Sequence, residues 1–261
     1  MQSKNRKVAL ITGSTSGIGR AMAFRFAKEG FDVAINGFGK AEEIEIQLKD
    51  LENFGGRAFY FGANLMEKDQ CQDLIKKVHV HFGRLDVLIN NAGLQYVAPL
   101  EDFPDEKWDA IIALNLSSSF HTIKAALPIM RAQNWGRIIN IASTHGFVAS
   151  VHKAAYVSAK HGLVGLTKVT ALETARENIT CNAICPGFIY TPLVEAQIQA
   201  KAKEHGLSLE EEKIRFISEK HPSQKFVEME DLANLAFFLS TDGAKEIRGS
   251  SYVIDGGWSA V

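Results

Sequence analysis

The sequence predicts a single α/β domain on a doubly wound parallel sheet of about seven strands, with helices on both faces. Three observations predict it. Short runs rich in β-branched and aliphatic residues alternate with helical patterns, as in repeated βαβ units. The runs are apolar almost throughout, which suits strands covered on both faces. Consecutive parallel strands joined by right-handed crossovers then wind the sheet both ways. At 261 residues, 46% apolar and 23% charged, the chain has the size and composition of one globular domain. No linker, repeat or low-complexity tract divides residues 1–261.

The elements follow in order. VALIT (8–12) is the first strand, and GIGRAMAFRFAKE (17–29) brings Ile18, Ala21, Met22 and Phe26 to one helical face. DVAIN (32–36) is the second strand, followed by a charged amphipathic helix over 40–54. RAFYF (57–61) is the third, with a helix over 67–82, and DVLIN (86–90) is the fourth. A long helix is expected over 105–133, then a fifth strand, GRIINIAS (136–143), and a helix over 154–175. ITCNAICP (179–186) is the sixth strand and SYVID (251–255) the last. Residues 187–228 are irregular, with helix-like pieces near 192–204 and 208–220 and no strand between them. A long excursion at the carboxyl edge of such a sheet is a candidate substrate lid.

The bulk numbers exclude several classes. A net charge of -1 gives no reason to expect nucleic acid or an anionic membrane as partner. No apolar run is long enough to cross a bilayer. Cys71, Cys181 and Cys185 are too few for a disulfide framework and fit a reducing compartment. The pair 181/185 lacks further ligands for zinc, so both read as small core residues and no metal is expected. The basic start, MQSKNRK, lacks the apolar region and cleavage site of a signal peptide, and a cytoplasmic location is expected.

ITGSTSGIG (11–19) follows the first strand and opens a helix. Gly13 permits a tight turn, Gly17 lets the backbone approach a pyrophosphate, and Gly19 allows helix and strand to pack closely. This is the dinucleotide-binding arrangement of a Rossmann fold. The second strand ends in Asn36-Gly37-Phe38-Gly39, without the usual acid for an NAD ribose. Equally, no Arg or Lys occupies 14–16 or 36–39 to meet a 2′-phosphate. Lys40 is close, but Glu42 and Glu43 beside it make it a solvated residue of a helix start. NAD is therefore expected over NADP.

Several motifs then coincide across the chain. TGxxxGIG runs from Thr12 to Gly19, and NNAG is Asn90, Asn91, Ala92 and Gly93. Asn115 lies in the following helix, and Ser143 closes the fifth strand. YxxxK is Tyr156 and Lys160, and Pro186-Gly187 is followed by Thr191. In this order and spacing the sequence resembles the short-chain dehydrogenase/reductase family. The resemblance implies cofactor contacts from Gly13, Thr15, Ser16, Gly17, Ile18, Gly19, Phe38, Asn64, Leu65, Asn91, Ala92, Gly93, Tyr156, Lys160, Pro186, Gly187 and Thr191. Asn64-Leu65 departs from the Asp-Leu common near the adenine, although Asn can still hydrogen-bond.

Oxidising a secondary alcohol requires loss of the hydroxyl proton as hydride leaves carbon. A free phenol, with a pKa of about 10, costs about 4 kcal/mol as a base near pH 7. A nearby ammonium lowers that cost, and Lys160, four residues after Tyr156, shares its helical face. Ser143 can hold the substrate oxygen near Tyr156. The family resemblance implies that Asn115 holds a water relaying the proton from Lys160.

The segments LQYVAPLEDF, ASTHGFVAS, NAICPGF and VIDGGWSA extend the resemblance to one branch, the bacterial (R)-3-hydroxybutyrate dehydrogenases. That branch interconverts a 3-hydroxy acid and its 3-keto acid with NAD. The resemblance implies that Gln95, His145, Lys153 and Gln197 surround the substrate carboxylate, with Ser143, Tyr156, Phe188 and Trp258 completing the pocket. Without the resemblance, Lys153 reads as a solvated loop lysine and Trp258 as a local packing anchor; only the match to this branch overturns the reading of Lys153. Residue 188 is Phe where that branch often carries Trp, which leaves room for a slightly larger substrate. Family members are usually homotetramers, with the helices at 105–133 and 154–175 as pairing surfaces and a C-terminal end approaching a neighbour's pocket. Two alternatives stay open: an NADPH-dependent 3-oxoacyl thioester reductase, and a dinucleotide-sensing protein without catalysis.

Overall fold

The structure is a computed structural model and describes residues 6–260; the first five residues of the basic start lie outside the described residues. Seven parallel strands form one sheet in the order β3-β2-β1-β4-β5-β6-β7. The strands are β1 (Val8–Ile11), β2 (Asp32–Ile35), β3 (Ala58–Tyr60), β4 (Val87–Asn90), β5 (Gly136–Ile141), β6 (Ile179–Pro186) and β7 (Ser251–Ile254). The order reverses between β1 and β4, which pair in register at Ile11 and Ile89. Open α/β sheets bind ligands outside the carboxyl ends of the strands at such a switch point.

The helices are α1 (Gly17–Lys28), α2 (Ala41–Glu52), α3 (Lys68–Phe82), α4 (Asp105–Ile112), α5 (Ser118–Gln133), α6 (Ala154–Glu173), α7 (Pro192–His205), α8 (Leu209–Ser218) and α9 (Met229–Leu239). Side chains of a strand alternate between sheet faces. In β1, Ala9 and Ile11 join Met22, Phe26, Ile35 and Leu232 on one face. Val8 and Leu10 join Leu74, Val78, Leu88 and Ile138 on the other. Both faces are covered, so the strands are apolar almost throughout. Cys71, Cys181 and Cys185 are free and buried.

Two differences from the sequence expectation stand out. The helix expected over 105–133 is interrupted by a π turn at Ala113–Ser117, which contains Asn115. The 3.6-residue apolar pattern cannot register one turn widened by a single residue. The second difference is α9, not among the elements expected from the sequence. Its buried residues Leu232, Ala233, Ala236 and Leu239 follow helical spacing behind Glu230 and Asp231 at its start, and it packs on α1. The signal was present but adjoined the irregular excursion. Within that excursion α7 and α8 match the two expected pieces, and α8 opens with a capping box between Ser208 and Glu211.

Candidate active site

The loops after β1, β4, β5 and β6 converge at the switch point, and hydrogen bonds lock them together. Thr12 Oγ1 accepts from the backbone N–H groups of Asn91 (2.9 Å) and Ala92 (3.0 Å). Asn91 Nδ2 donates to the carbonyls of Thr12 (2.9 Å) and Gly13 (3.1 Å). The glycine loop and NNAG are thus one unit. Gly19 tolerates no side chain, because a Cβ there would lie 2.3 Å from the Gly13 carbonyl oxygen. At Gly17 a Cβ would meet nothing within 4 Å, so the space over the start of α1 is open. Ser16 makes no side-chain cap there, and no acid occupies the first turn. A helix start with free N–H groups, no competing carboxylate and open space suits a pyrophosphate.

At the end of β2, Phe38 is 75% exposed, and Thr15 Oγ1 donates to its carbonyl at 2.7 Å. Tyr60 donates its hydroxyl to the Gly37 carbonyl at 2.8 Å. Lys40 is solvated, with its side chain 79% exposed and its ammonium 3.7 Å from Glu43. Asn64 Oδ1 accepts from the Met66 N–H at 3.1 Å, while Leu65 is packed in the core and offers a ligand only its backbone.

The cavity at the switch point has a volume of about 250 Å³. Ser143, Tyr156 and Lys160 line it together with Gln95, His145, Lys153, Phe188, Gln197 and Trp258. Ile18, Asn91, Gly93, Pro186, Gly187 and Thr191 also line it. Gly13, Thr15, Ser16, Gly17, Gly19, Phe38, Asn64, Leu65, Ala92 and Asn115 are outside its lining. The Thr191 hydroxyl caps α7, accepting from the Val194 N–H at 3.3 Å.

One turn of α6 carries Tyr156 and Lys160 to the end of β5. Lys160 is 4% exposed, donates to the Ile141 carbonyl at 2.8 Å, and lies 5.5 Å from the centroid of the Tyr156 ring. Burial pushes the Lys160 ammonium down to about 8. Burial also holds the Tyr156 phenol above its ordinary value, opposed by a hydrogen bond with Ser143. From the sequence, the Lys160 ammonium is expected to lower the phenol; one of its three N–H donors is engaged by Ile141, and loss of water is the largest influence at Tyr156.

Asn115 is buried, and its side-chain amide is paired with the backbone of Leu94. Its Oδ1 accepts from the Leu94 N–H and its Nδ2 donates to the Leu94 carbonyl, both at 2.9 Å. That pair holds the segment carrying Gly93 and Gln95.

His145 closes the far side. Its backbone N–H donates to Ser143 Oγ at 3.1 Å, and its Nε2 lies 2.9 Å from Ser150 Oγ. Burial, aided by the charges of Lys153 and Lys220, pushes its imidazole down to about 3, so it is neutral. Lys153 stands immediately before α6, its Nζ 5.4 Å from the centroid of Phe188, and is not ion-paired among the described residues. Burial, then Lys220, lowers its pKa.

Trp258 lines the pocket of its own chain. Asp255 accepts from the N–H groups of Gly257 (3.0 Å) and Ser259 (2.8 Å), and Gly256 and Gly257 take positive φ. This turn folds the indole onto Phe188, with ring centroids 5.4 Å apart and planes 3° from parallel.

One residue of the site has no sequence signal. His221 is buried, and its Nε2 accepts the Phe188 N–H at 2.9 Å while its Nδ1 donates to the Lys225 carbonyl at 2.9 Å. Those partners define one neutral tautomer. A Cβ at Gly187 would lie 2.4 Å from its Nε2, so His221 also explains that glycine.

The family model described as short chain dehydrogenase matches residues 7–202. The D-beta-hydroxybutyrate dehydrogenase of Cupriavidus necator is 50% identical over 256 residues, covering 98% of this chain and 99% of that protein. The protein of the same name from Rhizobium meliloti is 48% identical, covering 97% and 99%. Among solved structures, levodione reductase superimposes with a TM-score of 0.89 at 32% identity, covering 98% of each chain. With that match spanning most of the sheet and the switch-point cavity, the chain belongs to the short-chain dehydrogenase family.

Proposed function

We propose that the protein interconverts (R)-3-hydroxybutyrate and acetoacetate with NAD. The observation that carries this reading is Lys153, an ammonium without an acidic partner among the described residues, in the same cavity as Ser143 and Tyr156. A substrate carboxylate supplies the missing counter-charge. Gln95 and Gln197 are amide donors for its oxygens, and neutral His145 adds a donor without adding charge. The names of the two hydroxybutyrate dehydrogenase relatives support the same substrate.

NAD, when bound, would supply the hydride acceptor and, in its oxidised form, a positive charge. The loop from Gly13 to Gly19 would hold its pyrophosphate, and Asn91, Gly93, Lys160, Pro186, Gly187 and Thr191 its nicotinamide half. Phe38 with no cation beside it, and Lys40 paired to Glu43, favour NAD over NADP. Ser143 holds the substrate hydroxyl, and Tyr156 takes its proton during oxidation and returns it during reduction. Lys160 orients this end of the site, and the π-turn backbone around Asn115 offers the route by which a proton leaves. The segment 187–228, with Gln197 on α7, serves as a lid drawn down by the carboxylate. Exposed Phe120, Val169 and Leu172 on α5 and α6 support pairing of those helices in a homotetramer.

The test is an assay of both enantiomers of 3-hydroxybutyrate and of longer 3-hydroxy acids with NAD and with NADP. The expected result is highest kcat/KM for the (R)-C4 acid with NAD. Preference for NADP, or for a thioester over the free acid, overturns the reading.

A further inference from the structure

The wall formed by Phe188 and Trp258 carries one ammonium beside each ring. Lys153 Nζ is 5.4 Å from the Phe188 centroid, and Lys220 Nζ is 5.8 Å from the Trp258 centroid. The two rings are stacked, so each charge lies beside one ring of a single aromatic pair. Lys153 lines the cavity, whereas Lys220 is exposed and stands outside it, just past the end of α8. Neither is ion-paired among the described residues. The field of Lys220 nevertheless reaches inside, since it helps lower both Lys153 and His145.

Lys220 rises from a fixed backbone. Its N–H and that of His221 both donate to the Ile217 carbonyl, at 3.1 Å and 2.8 Å. The adjacent His221 ring is bonded at both nitrogens, to Phe188 and to Lys225. Ser223 donates its N–H to the Gly256 carbonyl at 3.0 Å, tying this segment to the turn that presents Trp258. Two unpaired cations held on one wall repel each other. An anion drawn into the field of both is attracted by each, and the field at a cleft mouth raises the local concentration of anions.

We propose that Lys220 is a specificity-determining residue of this pocket, a rim cation that captures the carboxylate of an acidic substrate and passes it inward to Lys153. The proposal rests on reading the pocket as a site for an acid. It differs from the inner carboxylate contacts in acting on capture rather than on the seated substrate.

The experiment compares wild type, Lys220→Met and Lys220→Arg with 3-hydroxybutyrate and its neutral methyl ester as substrates, across ionic strength. The ratio of acid to ester kcat/KM should fall about threefold to fivefold in Lys220→Met, the scale of one exposed charge, and return in Lys220→Arg. The decline of kcat/KM with added salt should be shallower in Lys220→Met than in wild type. Acetate binding, followed by tryptophan fluorescence with NAD present, should weaken by a similar factor. An unchanged acid-to-ester ratio with an unchanged salt slope overturns the proposal. If wild type oxidises no 3-hydroxy acid, the substrate reading fails, and acetate binding alone decides Lys220: equal affinity in Lys220→Met overturns it, and weaker affinity supports it.

Discussion

Lys160 donates its buried ammonium to the Ile141 carbonyl at 2.8 Å, so the end of β5 sets where the charge of α6 points. That charge is expensive to bury. A fall from 10.5 to about 8 corresponds to about 3 kcal/mol at 1.36 kcal/mol per unit. Lys160→Met removes this cost and loses one hydrogen bond from a charged donor, worth about 2 kcal/mol. The variant should therefore be about 1 kcal/mol more stable at pH 7 in denaturant melts, while losing both NAD affinity and turnover. The folded pKa is lowered, so the penalty is complete below about pH 8 and fades toward 10.5. The stability gap should narrow over that window. A variant less stable than wild type at pH 7 contradicts this account.

Tyr156→Phe keeps the ring packed against His145, whose centroid is 5.8 Å away, and removes only the proton carrier. Turnover should fall by about 10³-fold with NAD binding within about twofold of wild type. Steady-state kinetics and cofactor titration check both halves, and activity above a tenth of wild type rejects Tyr156 as the base.

Lys153→Ala should raise KM for 3-hydroxybutyrate by roughly 10- to 100-fold, the range for a charge-assisted contact in a partly buried site. KM for the methyl ester should change much less. Equal losses for acid and ester would mean that Lys153 supports the wall through Phe188 and does not bind a carboxylate.

His145 carries a sign that can be tested directly. Its pKa is lowered from 6.5 to about 3, so the unfolded chain takes a proton that the folded chain refuses between those values. Folding stability must therefore decline as pH falls through that window. His145→Gln removes the titration and keeps a donor. The variant should lose less stability than wild type between pH 6.5 and pH 4, measured by thermal melts. Parallel acid curves for the two proteins would remove His145 from the acid response.

The neutral imidazole of His221 shows the limit of what was legible in the chain. Its sequence neighbourhood, Lys220-His221-Pro222, carries no motif, yet it holds Phe188 and forces glycine at 187. By contrast the glycine loop, the strand pattern and the Tyr156/Lys160 spacing are local. Periodicities of 2 and 3.6 and a four-residue helical step are set by neighbours along the chain. They suffice for the sheet, the crossovers and the shared face of Tyr156 and Lys160. The π turn at Asn115 and helix α9 escaped that reading: one adds a single residue to an otherwise regular pattern, and the other sits beside an irregular tract.

The sequence by itself determined a seven-stranded parallel sheet, a glycine-rich helix start, and Ser143, Tyr156 and Lys160 in order along the chain. Only the tertiary structure decided how charge is spent there. Lys160 is turned to Ile141, Tyr156 is held high by burial, His145 is neutral, and Lys153 and Lys220 share one aromatic wall. The physical reason is that desolvation and Coulomb terms depend on distances between residues far apart in sequence, here 153, 188, 220 and 258, and no local pattern encodes those distances.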